Sequence, residues 1–210
     1  MFVEYLTSAL VTLLVTLDPP GLAPIFLSLT RGMSESERKQ VAIRACLIAF
    51  CIMAFFGLAG DVVLKALGVS LPAFRIAGGL LLFWIAFEMV FERRNERKQA
   101  TAETAITQDH IRNVAAFPLA IPLMAGPGSL TAMMLLAGRA DGNLLQLGAL
   151  AAICGLVILS CLVTFLLAVP IARLLGITGN VVLTRLLGVI LAALAVQFVI
   201  DGVRAVVGGA

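Results

Sequence analysis

The apolar run at residues 2–29 is interrupted by the peptide Asp18-Pro19-Pro20-Gly21. Neither proline has a backbone N–H, and each disfavours a helical conformation in the residue before it. A helix is therefore predicted to end near Leu17, and a second to begin near Gly21. Since an unpaired backbone group costs several kcal/mol in hydrocarbon, a break at membrane depth needs protein or water around it. Asp18 is also the only acidic residue well inside an apolar segment.

The composition of the 210-residue chain is typical of a polytopic membrane protein. Hydrophobic residues make up 61% of the chain and charged residues 13%, and the mean hydropathy is +1.08. A transmembrane helix needs about 20 apolar residues, and six such segments fit. We therefore predict an all-α membrane protein with six transmembrane helices. Their approximate ranges are 2–29, 34–60, 72–92, 113–137, 144–169 and 181–201.

The chemistry-bearing residues exclude several classes of protein. The four cysteines lie in predicted spans without metal-ligand or CxxC spacing, and the single histidine, His110, lies in a polar loop. The net charge of +3 is dispersed along the chain, so no nucleic-acid surface is expected. No nucleotide-binding loop is present either. We expect no enzyme activity, no cofactor and no metal site.

A second break, Gly126-Pro127-Gly128, interrupts the fourth span, and its position indicates an internal repeat. A shift of 107 residues places Pro20 on Pro127, and shifts of 108 and 110 place 67–70 on 175–178 and 75–78 on 185–188. Because each unit holds three spans, an odd number, the two copies must insert in opposite orientations. The alternative is that these matches arose by chance, because short sequences rich in Leu, Gly and Pro recur in membrane proteins.

The sequence therefore predicts two inverted three-helix repeats in one membrane domain. Residues 1–92 form the first repeat, 93–111 a polar cytoplasmic linker and 112–210 the second repeat. Helices 1 and 4 are the broken ones. Secondary transporters use this design and place broken helices at the interface of the repeats, where substrate binds.

The basic residues predict the orientation, because cytoplasmic loops carry an excess of Lys and Arg. With the N-terminus outside, ten of them fall on the cytoplasmic side and three on the outer side, so both termini are predicted to face outward. The ten are Arg31, Arg38, Lys39, Arg44, Arg93, Arg94, Arg97, Lys98, Arg112 and Arg173, and the three are Lys65, Arg139 and Arg204.

The breaks are the predicted binding site. A half-helix that begins inside the membrane directs free N–H groups and a partial positive charge at the break, which suits a carboxylate. Gly21 and Gly128 permit close approach to the backbone, and small neighbours leave room for a small solute. The alternative is that the breaks only shape the helices. The predicted substrate-binding residues are Asp18, Pro20, Gly21, Ala23, Gly126, Gly128, Ser129 and Thr131.

Three charged residues are the predicted gating or coupling groups. Asp18 could receive the ammonium of a solute or a coupling proton, since an ionised carboxylate is costly at this depth; its alternative role is a helix N-cap. Arg75 and Arg185 open spans three and six, where the helix dipole does not favour a cation. Each therefore requires a carboxylate or lipid phosphate partner, or it extends to the headgroups.

Two groups of motifs resemble those of the MarC family of bacterial inner-membrane proteins, and the resemblance extends over nearly the whole chain. They are Asp18-Pro19-Pro20-Gly21 with Pro24, and Pro118, Pro122 and Gly126-Pro127-Gly128 with Thr131. The resemblance implies a transporter-like protein of the inner membrane, and some relatives move small neutral amino acids such as glycine and alanine.

We therefore expect a secondary transporter of a small zwitterionic solute that works by alternating access in the lipid bilayer. A proton is the expected coupling ion, and the sequence is compatible with a monomer or an oligomer. The alternative is a non-transporting scaffold or regulator that docks partners through the loop at 93–111.

Overall fold

A computed structural model describes residues 2–108, 114–140 and 142–208, so His110 and the end of the predicted linker lie outside the described residues. The regular structure of the described residues is helical throughout. The helices are α1 (Phe2–Leu17), α2 (Pro19–Leu29), α3 (Glu35–Ala66), α4 (Leu71–Val90), α5 (Arg93–Gln108), a π-helical segment (Ala115–Met124), α6 (Pro127–Arg139), α7 (Leu144–Leu166) and α8 (Ala168–Gly208). The π-helical segment has extended backbone at Phe117 and Ile121, and α8 is interrupted at Gly176, so that its spanning part is Thr178–Gly208.

Five helical stretches are long and apolar enough to cross a membrane, with α1 and α2 counted together as one. A sixth results if the π-helical segment and α6, which meet at a bend of 58°, form one span. This arrangement confirms the predicted all-helical membrane architecture at the level of five to six spans. Some bounds differ from the prediction. The helix α3 continues past Gly60 to Ala66, and α7 ends at Leu166, with Pro170 in the first turn of α8.

The helix starts follow local sequence rules. Ser34 and Glu37 form the predicted capping box, in which the Ser34 backbone N–H donates to Glu37 Oε2 at 2.8 Å. Ser70 caps α4, where Pro72 lies in the first turn, a position at which a missing N–H costs nothing.

The helices α4 and α8 pack against each other most extensively of all, and small residues bring them together. A Cβ built on Gly79 would lie 2.8 Å from the carbonyl oxygen of Ala195, and one on Gly202 would lie 3.0 Å from that of Pro72. The early part of α4 thus contacts the late part of α8, so the two helices run antiparallel. Close approach at small residues is the usual basis of helix packing in lipid.

The other helix contacts described here connect the first half of the chain with the second, and they occur in matching pairs. The helix α3 packs against the π-helical segment and α6, and α7 packs against α1 and α2. Likewise, α4 packs against α6 and α8 packs against α2. The two parts of each broken segment are therefore held by the second and third long helices of the opposite half.

The Gly79 contact can be tested with a matched glycine. We expect Gly79→Ala to lower the free energy of unfolding by about 1–3 kcal/mol, the usual cost of overpacking. Gly148→Ala in α7 meets nothing within 4 Å and is expected to be neutral or to stabilise by up to about 1 kcal/mol through helix propensity. Unfolding in mixed detergent micelles measures both, and equal effects would contradict the close packing of α4 on α8.

Candidate functional site

The first break lies at Asp18, between α1 and α2. Asp18 has a left-handed backbone conformation (φ 57°, ψ 65°) and its side chain is buried. Its Oδ1 accepts a hydrogen bond from the Gly21 N–H at 3.2 Å, which is the geometry of an N-cap. The capping role predicted as the alternative for Asp18 is therefore present.

The carbonyl groups at the end of α1 obtain their donors from α5. In a continuous helix Val15 O and Thr16 O would accept from the N–H groups four residues later, but those positions are Pro19 and Pro20. The buried Arg94 guanidinium donates instead to Val15 O at 3.3 Å and to Thr16 O. One side chain thus replaces the two donors that the prolines lack. Its positive charge also lies at the negative end of the α1 dipole.

A buried ion pair connects α5 to Asp18 itself. Lys98 Nζ lies 3.5 Å from Asp18 Oδ2, and both side chains are at least nine-tenths buried. Neither of these two atoms has a hydrogen-bond partner among the described residues. Burial, and next the charge of Arg94, lower the pKa of Lys98 to about 8. The ammonium of Lys98 is therefore in an environment that only partly compensates its charge.

A second ion pair completes the cluster. Arg97 Nη2 lies 2.8 Å from Glu88 Oε2, which joins α5 to the end of α4. Among the described side chains, the cluster contains three cations (Arg94, Arg97 and Lys98) and two carboxylates. It therefore has one more positive than negative charge.

The position of α5 differs from the predicted linker, which was expected to be a polar loop facing the cytoplasm. Residues 93–108 form a helix whose basic side packs against the first break. The sequence contains a signal for this placement. Arg94 and Lys98 are four residues apart, so both lie on one face of a helix. The prolines at the break also require donors from elsewhere in the protein.

The second break opens into a pocket of about 320 Å³. Gly126 occupies the N-cap position of α6 without a side-chain cap, and Pro127 is the first helical residue. The pocket is therefore lined by the start of a helix and by the basic side of α5. Its lining includes Gly126, Gly128, Ser129, Arg94, Arg97, Lys98 and Trp84.

The first break borders a different pocket, of about 420 Å³. Pro20, Gly21 and Ala23 line it together with Gln99 and residues of α8 such as Asn180. The predicted substrate-binding residues are thus divided between two pockets. Asp18 and Thr131 line neither: Asp18 contacts Lys98, and Thr131 faces Gly78 of α4.

The structure gives a partner to each predicted gating arginine. Arg75 donates to the Gly138 carbonyl at 3.1 Å, near the end of α6. Arg185 pairs with Glu92 at 2.9 Å, and both side chains are exposed. Glu92 belongs to the two-residue connection between α4 and α5.

An ion pair that the sequence did not indicate lies at the end of α6. Arg139 pairs with Asp201 of α8, and its guanidinium lies 4.2 Å from the centre of the Phe198 ring. Arg139 also donates to Ser8 of α1 at 3.4 Å. This one side chain therefore connects α6 with both α1 and α8.

Apolar helices of spanning length, one of them sharply bent, together with buried ionic groups between them, define a polytopic integral membrane protein. A family model described as the MarC family integral membrane protein matches residues 3–207. The chain belongs to this family.

Curated relatives extend over nearly the same length. A UPF0056 membrane protein of Aquifex aeolicus is 37% identical over 200 residues, which cover 93% of this chain and 91% of the relative. One of Archaeoglobus fulgidus is 35% identical over 209 residues, covering 96% and 93%. The UPF0056 membrane protein YhcE of Escherichia coli is 32% identical over 200 residues, covering 94% and 91%. No solved structure matches significantly.

The role of Arg94 predicts a specific pattern of unfolding energies. We expect Arg94→Met to lower the free energy of unfolding by about 2–5 kcal/mol, since it leaves two buried carbonyls without donors. In a Pro19→Ala, Pro20→Ala background the loss is expected to be smaller by about 1–3 kcal/mol, because two backbone N–H groups are restored.

The matched control is Arg93→Met, which removes an exposed arginine one residue away and is expected to change the unfolding energy by less than about 0.5 kcal/mol. Unfolding of all the variants in mixed micelles gives the double-mutant cycle. A cost for Arg94→Met that is the same with and without the prolines would refute the proposed replacement of donors.

Proposed function

We propose that the protein is a secondary transporter that moves small neutral amino acids, of the glycine and alanine type, across the bacterial inner membrane by alternating access. The observation that carries this proposal is the pocket at the second break, which is lined by a helix start and by buried charged side chains. Ionisable groups are costly at membrane depth and are typical of solute and ion pathways.

The charges around this pocket suit a zwitterion. The start of α6 and the cations of α5 favour a carboxylate. Asp18 does not line the pocket but pairs with Lys98, and its carboxylate is the acid that can balance an ammonium. The volume of about 320 Å³ lies at the small end of ligand pockets. Apolar neighbours such as Trp84 and Leu123 suit a solute with a short apolar side chain.

The paired helix contacts support the inverted repeat that this mechanism uses. An odd number of spans in each repeat places the third helices of the two repeats antiparallel, as α4 and α8 are. The exchange of partners between halves, α3 with α6 and α7 with α2, also agrees with a two-fold relation. In such transporters the substrate lies at the interface of the repeats.

We propose a proton as the coupling ion, bound at the Asp18 and Lys98 pair. The pKa of Lys98, lowered to about 8, allows this group to gain or lose a proton near physiological pH. Loss of that proton would leave Asp18 without its partner. Because only the protonated Lys98 can attract the solute carboxylate, binding of the proton and binding of the solute would be coupled through the same buried charges.

The proposal retains Arg75 and Arg185 as gating residues and places both termini outside. Arg75 connects α4 to the end of α6, and Arg185 connects α8 to the end of α4. Both contacts join helices that an alternating-access motion would have to separate. The inward-facing basic side of α5 favours this function over a scaffold that docks partners through the same segment.

Counterflow of radiolabelled alanine in proteoliposomes tests the proposal. We expect saturable exchange by the wild type and a reduction of at least about tenfold in Asp18→Asn, because a buried Lys98 then lacks its counter-charge. Asp61→Asn, at an exposed acid paired with Lys65, is expected to retain the wild-type rate. Absence of exchange in the wild type, or unchanged flux in Asp18→Asn, would refute the function.

A further inference from the structure

The structure assigns the carboxylate of the solute to the second break alone, where Lys98 and Arg97 of α5 and the first N–H groups of α6 form an anion subsite. The inference rests on the proposed function and adds two residues, Arg97 and Lys98, to the binding site. It also makes the two breaks unequal, although the sequence predicted free helix starts at both.

The first break has no capacity left for an anion. Its donors are already used, since the Arg94 guanidinium donates to the carbonyls of Val15 and Thr16 and the Gly21 N–H donates to Asp18 Oδ1. The negative charge of Asp18 at this helix start would also repel a second carboxylate. The protein thus supplies its own anion at the first break.

The second break has the complementary properties. Gly126 provides no side-chain cap, so the N–H groups of Gly128 and Ser129 in the first turn of α6 need an acceptor from outside the helix. Both residues line the pocket. Gly128 also packs directly against Ile85, so any side chain at this position would push into the wall of the pocket.

An independent observation on α5 points to the same ligand. Lys98 lines this pocket and is only 7% exposed. Its Nζ lies 3.5 Å from Asp18 Oδ2 but makes no hydrogen bond to the described residues. The described charges of the cluster sum to one positive charge. A monovalent carboxylate would neutralise that charge and accept hydrogen bonds from both the ammonium and the helix start, whereas a cation would be repelled.

The experiment uses the full-length protein in phosphatidylcholine nanodiscs and measures displacement of bound radiolabelled alanine. Propionate keeps the carboxylate and lacks the ammonium, while alaninamide keeps the ammonium and lacks the carboxylate. We expect propionate to compete and alaninamide to fail at the same concentrations. Competition by alaninamide equal to that by propionate would overturn the inference, and so would stronger competition by inorganic phosphate.

Variants of the subsite provide the second arm. We expect Lys98→Gln to weaken alanine and propionate binding about 10- to 100-fold, the loss of one charge-assisted hydrogen bond, and Lys98→Arg to recover most of it. Lys39→Gln, at an exposed lysine, is the matched control and should leave binding unchanged. Wild-type affinity for propionate in Lys98→Gln would overturn the inference.

The backbone contribution is tested at Ser129. Ser129→Pro removes one N–H in the first helical turn, where proline is tolerated, and Ser129→Ala removes the hydroxyl but keeps the N–H. We expect the proline variant to bind propionate about tenfold more weakly than the alanine variant. Equal affinities would exclude the α6 start as the anion donor.

Failure of the inference can be distinguished from failure of the proposed function. Propionate binding that depends on Lys98 and Ser129, with no alanine exchange in proteoliposomes, would support the subsite and refute the transporter. Alanine exchange with wild-type affinity in Lys98→Gln and Ser129→Pro would support the transporter and overturn the subsite.

Discussion

The arrangement of this protein depends on the hydrogen bonds that Arg94 donates to the end of α1. Pro19 and Pro20 lack two backbone donors at the buried end of α1, where an unpaired carbonyl is costly. Because the replacement comes from α5, the segment between the two halves has to lie against the first break. The buried Asp18 and Lys98 pair follows from the same placement, since Lys98 is one helical turn after Arg94.

The two breaks solve the same backbone problem in different ways. At the first, the capping carboxylate of Asp18 and the guanidinium of Arg94 satisfy the helix ends from within the protein. At the second, the start of α6 lacks a side-chain cap and faces a pocket. The protein therefore has one break that is satisfied from within and one whose helix start lacks a side-chain cap and faces a pocket. The difference has a chemical origin, because Asp18 caps α2 with its side chain whereas Gly126 at the N-cap of α6 has none.

Sequence rules predicted the features that depend on neighbouring residues. The end of α1, the capping box at Ser34 and the interruption at Gly126 all follow from proline, glycine and capping chemistry within a few positions, and α2 begins at Pro19, two residues before the predicted start. The contact of Arg94 with Thr16 joins residues 78 positions apart, and no local rule identifies such a partner. For the same reason the sequence identified Gly126, Gly128 and Ser129 as candidate substrate-binding residues. It did not identify the basic side chains of α5 that line the same pocket.

The short connection between α4 and α5 has a mechanical consequence. Only Phe91 and Glu92 separate Val90 from Arg93, and Arg97 of α5 pairs with Glu88 of α4, so a movement of α4 would be passed on to α5. A tilt of α4 on α8 would draw the guanidinium and the ammonium of α5 away from, or toward, the broken end of α1. The buried charged side chains of α5 and the long helix α4 would then move together, because no flexible segment separates them.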